Sequence, residues 1–183
     1  MKRLLTVLAI LVLWPTVAGA ATRFTLPPRP VYGMFGNDVE SDCTEVASAN
    51  LTIHEFPGSK VTTAQVESAY QITGGWTAAV LTQMETTGFG GHTIKSYYPI
   101  ISDLHPGVVS ATTESKMIVA ANAGGVWAEF YGPTPANHQW SHAVAVIGAN
   151  ATGVTFVTGG EVVSQTWATW NASVAFAYGL VWA

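Results

Sequence analysis

Asp42-Cys43-Thr44-Glu45-Val46-Ala47-Ser48-Ala49-Asn50-Leu51-Thr52, early in the chain, and His142-Ala143-Val144-Ala145-Val146-Ile147-Gly148, far along it, decide how this sequence folds. The first stretch opens on Asp42, a residue type that caps helices. Glu45 stands three positions later, at the spacing of a capping box. The pattern predicts a helix over about 42–52, with Val46, Ala47, Asn50 and Leu51 continuing one face. The second stretch is short, apolar and β-rich, ends at Gly148, and predicts a strand.

Working outward, residues 21–36 hold Pro27, Pro28, Pro30, Gly33 and Gly36 and read as an extended lead-in. A second helix is predicted from Thr62 or Thr63 to about Tyr70, with Val66, Ala69 and Tyr70 on one side. A third runs from Trp76 to about Thr87, stopped by Gly88, Gly90 and Gly91. A fourth runs from Thr113 to about Ala123, ended by Gly124-Gly125. Val126–Tyr131 and Val154–Thr158 read as strands, Trp167–Ala175 as a short helix and Tyr178–Trp182 as a closing strand. Helices first and strands afterwards predict an α+β domain.

Composition narrows the function classes. The chain has 183 residues, about one domain's worth, with 49% hydrophobic and only 10% charged residues. That is too apolar for a disordered chain. A net charge of −4 without any Lys/Arg cluster excludes the electrostatic footprint of a nucleic-acid binder. Lys2 and Arg3, the apolar run Leu4–Leu13 and the small residues Ala18-Gly19-Ala20 form a signal-peptide pattern over residues 1–20. Trp14-Pro15 interrupts the run well short of the ~20 apolar residues that a span needs. The expected product is secreted or periplasmic, with its N-terminus near Ala21 and no stable membrane insertion after cleavage.

Cys43 is the only cysteine. A lone cysteine in an exported chain is a buried structural residue, a free thiol, an intermolecular link or a nucleophile. At a helix start, free backbone N–H groups and the positive dipole end face its sulfur and favour the thiolate. Asp42 and Glu45 work against a second negative charge, so a cationic partner is required, and histidine is the natural one. Of His54, His92, His105, His138 and His142, only His142 begins an apolar strand, where a rigid element positions an imidazole as a base. His54, His92 and His105 read as surface or loop residues. No third ligand accompanies His138 and His142, so no metal site is read, and no organic cofactor is implied.

Gly36-Asn37-Asp38-Val39-Glu40-Ser41-Asp42-Cys43-Thr44 with Ala47-Ser48-Ala49-Asn50-Leu51 resembles the nucleophile segment of papain-like cysteine peptidases. The likeness is greatest to the divergent bacterial and phage group related to bacteriocin-leader-processing (double-glycine) peptidases. Ser141-His142-Ala143-Val144-Ala145-Val146-Ile147-Gly148 resembles that superfamily's histidine strand, and the order of the two motifs is also similar. The likeness runs in outline from about Tyr32 to the end. It implies a helical half carrying the nucleophile, an antiparallel β half carrying the histidine, and a hydrolase domain over 37–183. It also implies cleavage of peptide or protein substrates, with Cys43 as nucleophile and His142 as general base and acid. The superfamily's oxyanion amide, six residues before the cysteine, falls on Asn37, which reads equally as a turn residue. Its usual Asn or Asp, about sixteen residues after the histidine, falls on Thr158, with Glu161 near enough to substitute if the turn folds back.

Two departures separate the chain from papain itself: no Cys-Gly-Ser-Cys-Trp segment is present, and only 99 positions separate Cys43 from His142. Threonine in the third place leaves a rival expectation, an inactive papain-like domain that binds a peptide or an envelope partner. Trp127, Trp167, Trp170 and Trp182 lie in apolar patterns and read as core. Trp76 and Trp140 read as flanking a cleft.

Overall fold

Among the described residues every strand pairing is antiparallel, and the strands join into one six-stranded sheet of order β1-β6-β2-β3-β4-β5. The computed structural model describes residues 30–38, 41–102, 109–130 and 142–183. Its elements are α1 (Cys43–Glu55), α2 (Thr63–Thr73), α3 (Thr77–Thr86), β1 (Ile94–Ile101), α4 (Ala111–Ala123), β2 (Val126–Phe130), β3 (His142–Asn150), β4 (Gly153–Thr158), β5 (Glu161–Thr166), α5 (Trp167–Ser173) and β6 (Val174–Trp182). The architecture is α+β. The segment 1–20, together with His105, His138 and Trp140, lies outside the described residues.

The unbroken apolar run of β3 has a simple cause: both faces of the strand are covered. Ala143 and Ala145 point into a cluster with Ala47, Ala49 and Leu51 of α1, Val66 of α2 and Leu81 of α3. Val144 and Val146 point into the opposite cluster, with Met117 and Ala120 of α4, Phe156, and Trp167 and Trp170 of α5. The chain is thus three layers, with the sheet in the middle. Alanines on both α1 and β3 let helix and strand approach closely, which sets the helix start beside the strand start. Trp127 of β2 is fully buried on the α1 side, and its indole N–H donates to the Thr44 carbonyl at 3.2 Å. Burying a ring of that size removes roughly 150–250 Å² from water, about 4–6 kcal/mol at ~25 cal/mol/Å².

Several expectations are corrected. The capping box forms not at Asp42 and Glu45 but at Thr62 and Gln65, which start α2. Helix α1 is not amphipathic: every residue from Thr44 to Ile53 is buried, so it is a central helix covered on all sides. Its buried hydroxyls bond back along the helix, Ser48 to the Thr44 carbonyl and Thr52 to the Ser48 carbonyl. Strands β1 and β5 were not foreseen. They are the two sheet edges, and their mixed, largely exposed residues carry no clear alternation. Helix α4 begins at Ala111, capped by Ser110, and β6 begins at Val174.

Candidate active site

Cys43 is the first residue of α1, with Asp42 as N-cap. The Asp42 side chain makes no capping hydrogen bond, and its residue is fully buried. Glu45 does not return to the cap either. Its buried carboxylate accepts from the Thr44 hydroxyl at 2.6 Å and from the Thr73 hydroxyl at the end of α2. The start of α1 is therefore tied to α2 by side chains and to β2 through Trp127.

His142 is the first residue of β3 and pairs with Phe130 across β2. The next residue meets the thiol: the Ala143 N–H donates to Cys43 Sγ at 3.5 Å. On its other side, His142 Nε2 lies 2.7 Å from the hydroxyl of Thr158, the last residue of β4. With Nε2–H donating to Thr158, Nδ1 is the nitrogen left to accept a proton. Thr158 is held by the tight hairpin that follows, in which Gly159 and Gly160 have φ of 54° and 77°, values suited to a two-residue turn. Glu161 pairs with Thr158 as the first residue of β5 and is exposed, and among the described residues no hydrogen bond joins its carboxylate to the His142 ring.

Cys43 thus meets β3 at the Ala143 backbone, and His142 meets Thr158 of β4. Among the described residues no hydrogen bond joins the sulfur to the imidazole, and His142 pairs with Phe130, which packs in the cluster opposite α1. Asn37 lies in the turn 35–38, half-buried, where its backbone N–H bonds to the Met34 carbonyl at 3.0 Å. Among the described residues, no hydrogen bond joins its amide to the other three. The lead-in carrying it is fastened to α1. Asn50, buried in the helix, grips the Gly33 peptide twice, accepting from its N–H and donating to its C=O, both at 2.9 Å. One turn on, His54 Nδ1 lies 2.8 Å from the Tyr32 hydroxyl. His54 and His92 are therefore not free surface groups, and the His92 ring stacks on Phe56 with centroids 3.8 Å apart.

The electrostatics oppose a preformed thiolate. Burial pushes the Cys43 thiol pKa up, and Glu129, Glu45 and Asp42 push it further, while the Ala143 N–H opposes them. Burial pushes the His142 imidazole down. The two groups therefore rest as neutral thiol and neutral imidazole near pH 7.

Glu129 is the neighbour that sequence reasoning missed. It stands opposite Ala143 on β2, two residues from buried Trp127 and so on the same face, and accepts from the Thr77 hydroxyl at 2.9 Å. Its signal was present: one acidic residue inside an otherwise apolar strand. Trp76 is exposed at the start of α3, whereas Trp127, Trp167 and Trp170 are buried.

A groove of about 830 Å³ between α2 and α3 is lined by Ala69, Ile72, Ala79 and Thr82 among others and includes none of Cys43, His142 and Thr158. Among the described residues, no cluster of three or more His, Cys, Asp and Glu has metal-binding geometry, and no helix is long and apolar enough to cross a membrane. Comparison with protein-family models, with curated proteins and with solved structures finds no match to this chain.

Proposed function

We propose that this chain is an exported papain-like thiol hydrolase, and within that class a cysteine peptidase acting on peptide or protein amide bonds. One observation supports this above all. The sulfur at the start of a buried helix touches the N–H of the residue beside a histidine, and that histidine's Nε2 is held by a hydroxyl. In the proposed reaction Cys43 Sγ attacks the carbonyl carbon while its proton passes to His142 Nδ1. The carbonyl electron pair moves onto oxygen, where the Cys43 backbone N–H and the Asn37 amide are the proposed donors. When the tetrahedral adduct collapses, the C–N bond breaks and Nδ1 returns the proton to the leaving amine, giving a thioester. Water, deprotonated by His142, then releases the acid and restores the thiol.

The rival is an inactive domain of the same type that binds a peptide or an envelope partner. The specific observation favouring it is the three carboxylates that oppose thiolate formation. The deciding experiment is labelling by a thiol-reactive peptidyl electrophile. An active pair labels rapidly in the parent, not at all in Cys43→Ala, and far more slowly in His142→Ala. Equal labelling of the parent and His142→Ala would reject the hydrolase.

A further inference from the structure

Glu129 of β2 stands directly opposite Ala143 of β3, whose side chain packs against α1 and whose N–H reaches Cys43 Sγ. Residues opposite each other on one sheet face carry Cβ atoms about 4.5–5.5 Å apart, so Glu129 projects towards α1 beside the sulfur. It is only 8% exposed, yet its neighbours Cys43, Thr77 and Tyr178 are half-buried, so it lies beneath a partly open surface. Its Oε2 accepts from the Thr77 hydroxyl at 2.9 Å, and among the described residues Oε1 has no hydrogen-bond partner. Tyr178 of β6 pairs with Trp127 and packs on the same sheet face, diagonal to Glu129. No cation answers this carboxylate. The described residues hold no arginine, and their lysines are Lys60 before α2, Lys95 in β1 and Lys116 in α4. Asp42 and Glu45, at the start of α1, add negative charge.

We propose that the surface beside Cys43 receives a cationic group, with Glu129 as its counter-charge. The substrate class rests on the hydrolase reading: a peptide carrying lysine or arginine beside the scissile bond. An ammonium or guanidinium brings several N–H donors, each needing an acceptor. Glu129 Oε1 and the Thr77 hydroxyl oxygen are acceptors at the place where the charge would sit, and the Tyr178 ring lies alongside for the apolar stem. Charge complementarity acts in the same direction, because a negative site with no lysine or arginine around it attracts basic peptides and repels acidic ones. A bound cation also acts on the thiol. After burial, Glu129 is the strongest influence raising the Cys43 pKa. Neutralising it favours the thiolate once the substrate is in place.

The test uses the full chain and small thiosulfonates that differ in charge. The 2-aminoethyl and 2-sulfonatoethyl methanethiosulfonates each form a mixed disulfide with Cys43 and release methanesulfinate. Each rate is divided by that of the same reagent with a free, uncharged cysteine derivative. So corrected, the cationic reagent should be favoured over the anionic one about tenfold or more at low salt. Glu129→Gln keeps an acceptor for Thr77 and should cut that preference about threefold or more. Glu85→Gln, at an exposed acid of α3, should leave it unchanged. A positional library of internally quenched peptides reads the substrate class. In the parent, kcat/KM for peptides with lysine or arginine beside the cleaved bond should exceed that for norleucine about tenfold, and Glu129→Gln should narrow the ratio to about twofold. A merely structural Glu129 would lower all peptides alike and leave that ratio unchanged. The proposal is overturned if the anionic reagent reacts as fast as the cationic one, if Glu129→Gln leaves the reagent ratio unchanged, or if norleucine peptides are cleaved as well as lysine peptides. Both ratios in the parent need no variant, so a Glu129→Gln protein that fails to fold leaves the test intact. If no peptide is cleaved and the reagent ratios behave as expected, the hydrolase reading falls and the cation site stands, as that of a domain binding basic peptides.

Discussion

Removing the Thr158 hydroxyl while keeping its shape, by Thr158→Val, measures what the third group contributes. In the resting site the 2.7 Å bond joins two neutral partners, both half-buried. Such a bond is worth about 1 kcal/mol net, and an abandoned donor at a half-buried site adds little more. In the proposed attack the imidazole becomes positively charged, and a charge-assisted bond is roughly twice as strong. The extra loss in the transition state is therefore about 1–1.5 kcal/mol, roughly tenfold in kcat. KM should stay within about twofold, because the hydroxyl is turned to His142 and not to the substrate. Global stability should fall by about 1 kcal/mol in denaturant titration. The measurement is steady-state hydrolysis of a fluorogenic peptide, paired with an NMR check that the sheet is intact. Unchanged kcat would refute a positioning role for Thr158. A loss beyond about a thousandfold with the fold intact would also refute it, because one neutral hydroxyl cannot supply that much. Glu161→Gln, at an exposed residue, should leave kcat unaltered.

Three further outcomes follow from the same geometry. Alkylation of Cys43 by iodoacetamide should titrate above the free-cysteine value of about 8.5, and Glu129→Gln, which removes one repelling carboxylate, should move that midpoint down; a midpoint near 6 in the parent would contradict the charge arrangement. His54 and His142 both bind protons more weakly when folded, through burial, so the unfolded chain takes up more protons and stability is lost as pH falls below the unfolded-histidine value of about 6.5; thermal melts at pH 7.5 and 5.5 should show it, and His54→Gln should reduce the difference. Asn50→Ala removes both bonds to the Gly33 peptide, so it should cost about 2–3 kcal/mol and expose residues 30–38 to limited proteolysis; unchanged cleavage would mean that Asn50 does not fasten the lead-in.

The parts of this fold legible in the sequence are those where one local signal suffices. The β3 run reads as a strand because nothing in it is polar between His142 and Gly148. The ends of α3 and α4 read correctly because glycines stop them, whereas α2 runs on past Tyr70 to Thr73, where Gly74 caps it. Position counting from the histidine reaches Thr158, because β3 and β4 are joined by a short turn and the offset is nearly fixed. The rest depends on contacts distant in sequence. Whether Glu45 caps α1 or turns inward is decided by Thr73, on another helix. The placement of Glu129 beside the sulfur depends on the β2–β3 register, which no local pattern contains. Edge strands β1 and β5 have one open side, so their residues face water as often as the core and the alternation vanishes. Residues such as His54 read as surface because their partners, here Tyr32, lie in a segment without regular structure.

The charge balance at Cys43 separates the two functional readings more sharply than the identity of the third residue does. The start of α1 offers the sulfur a dipole worth about 0.3–1 kcal/mol, together with the Ala143 N–H. Against these stand burial and three carboxylates, and the net direction is upward. Each unit by which the thiol pKa exceeds that of the imidazole adds about 1.4 kcal/mol to the cost of the thiolate–imidazolium pair. A hydrolase with this site therefore does not store an ion pair. It must transfer the proton as the sulfur attacks, which makes the rate sensitive to the orientation of His142 and hence to Thr158. The acids have structural work that explains their presence: Glu45 joins α1 to α2 through Thr73, and Glu129 joins β2 to α3 through Thr77. Replacing Glu129 by glutamine keeps an acceptor for Thr77 and removes the charge, so it separates the two roles. If the variant folds as well as the parent and hydrolyses faster, the carboxylate serves the fold at the expense of the thiol. If it folds equally well and neither protein hydrolyses anything, no repulsion was being overcome, and the peptide-binding reading gains.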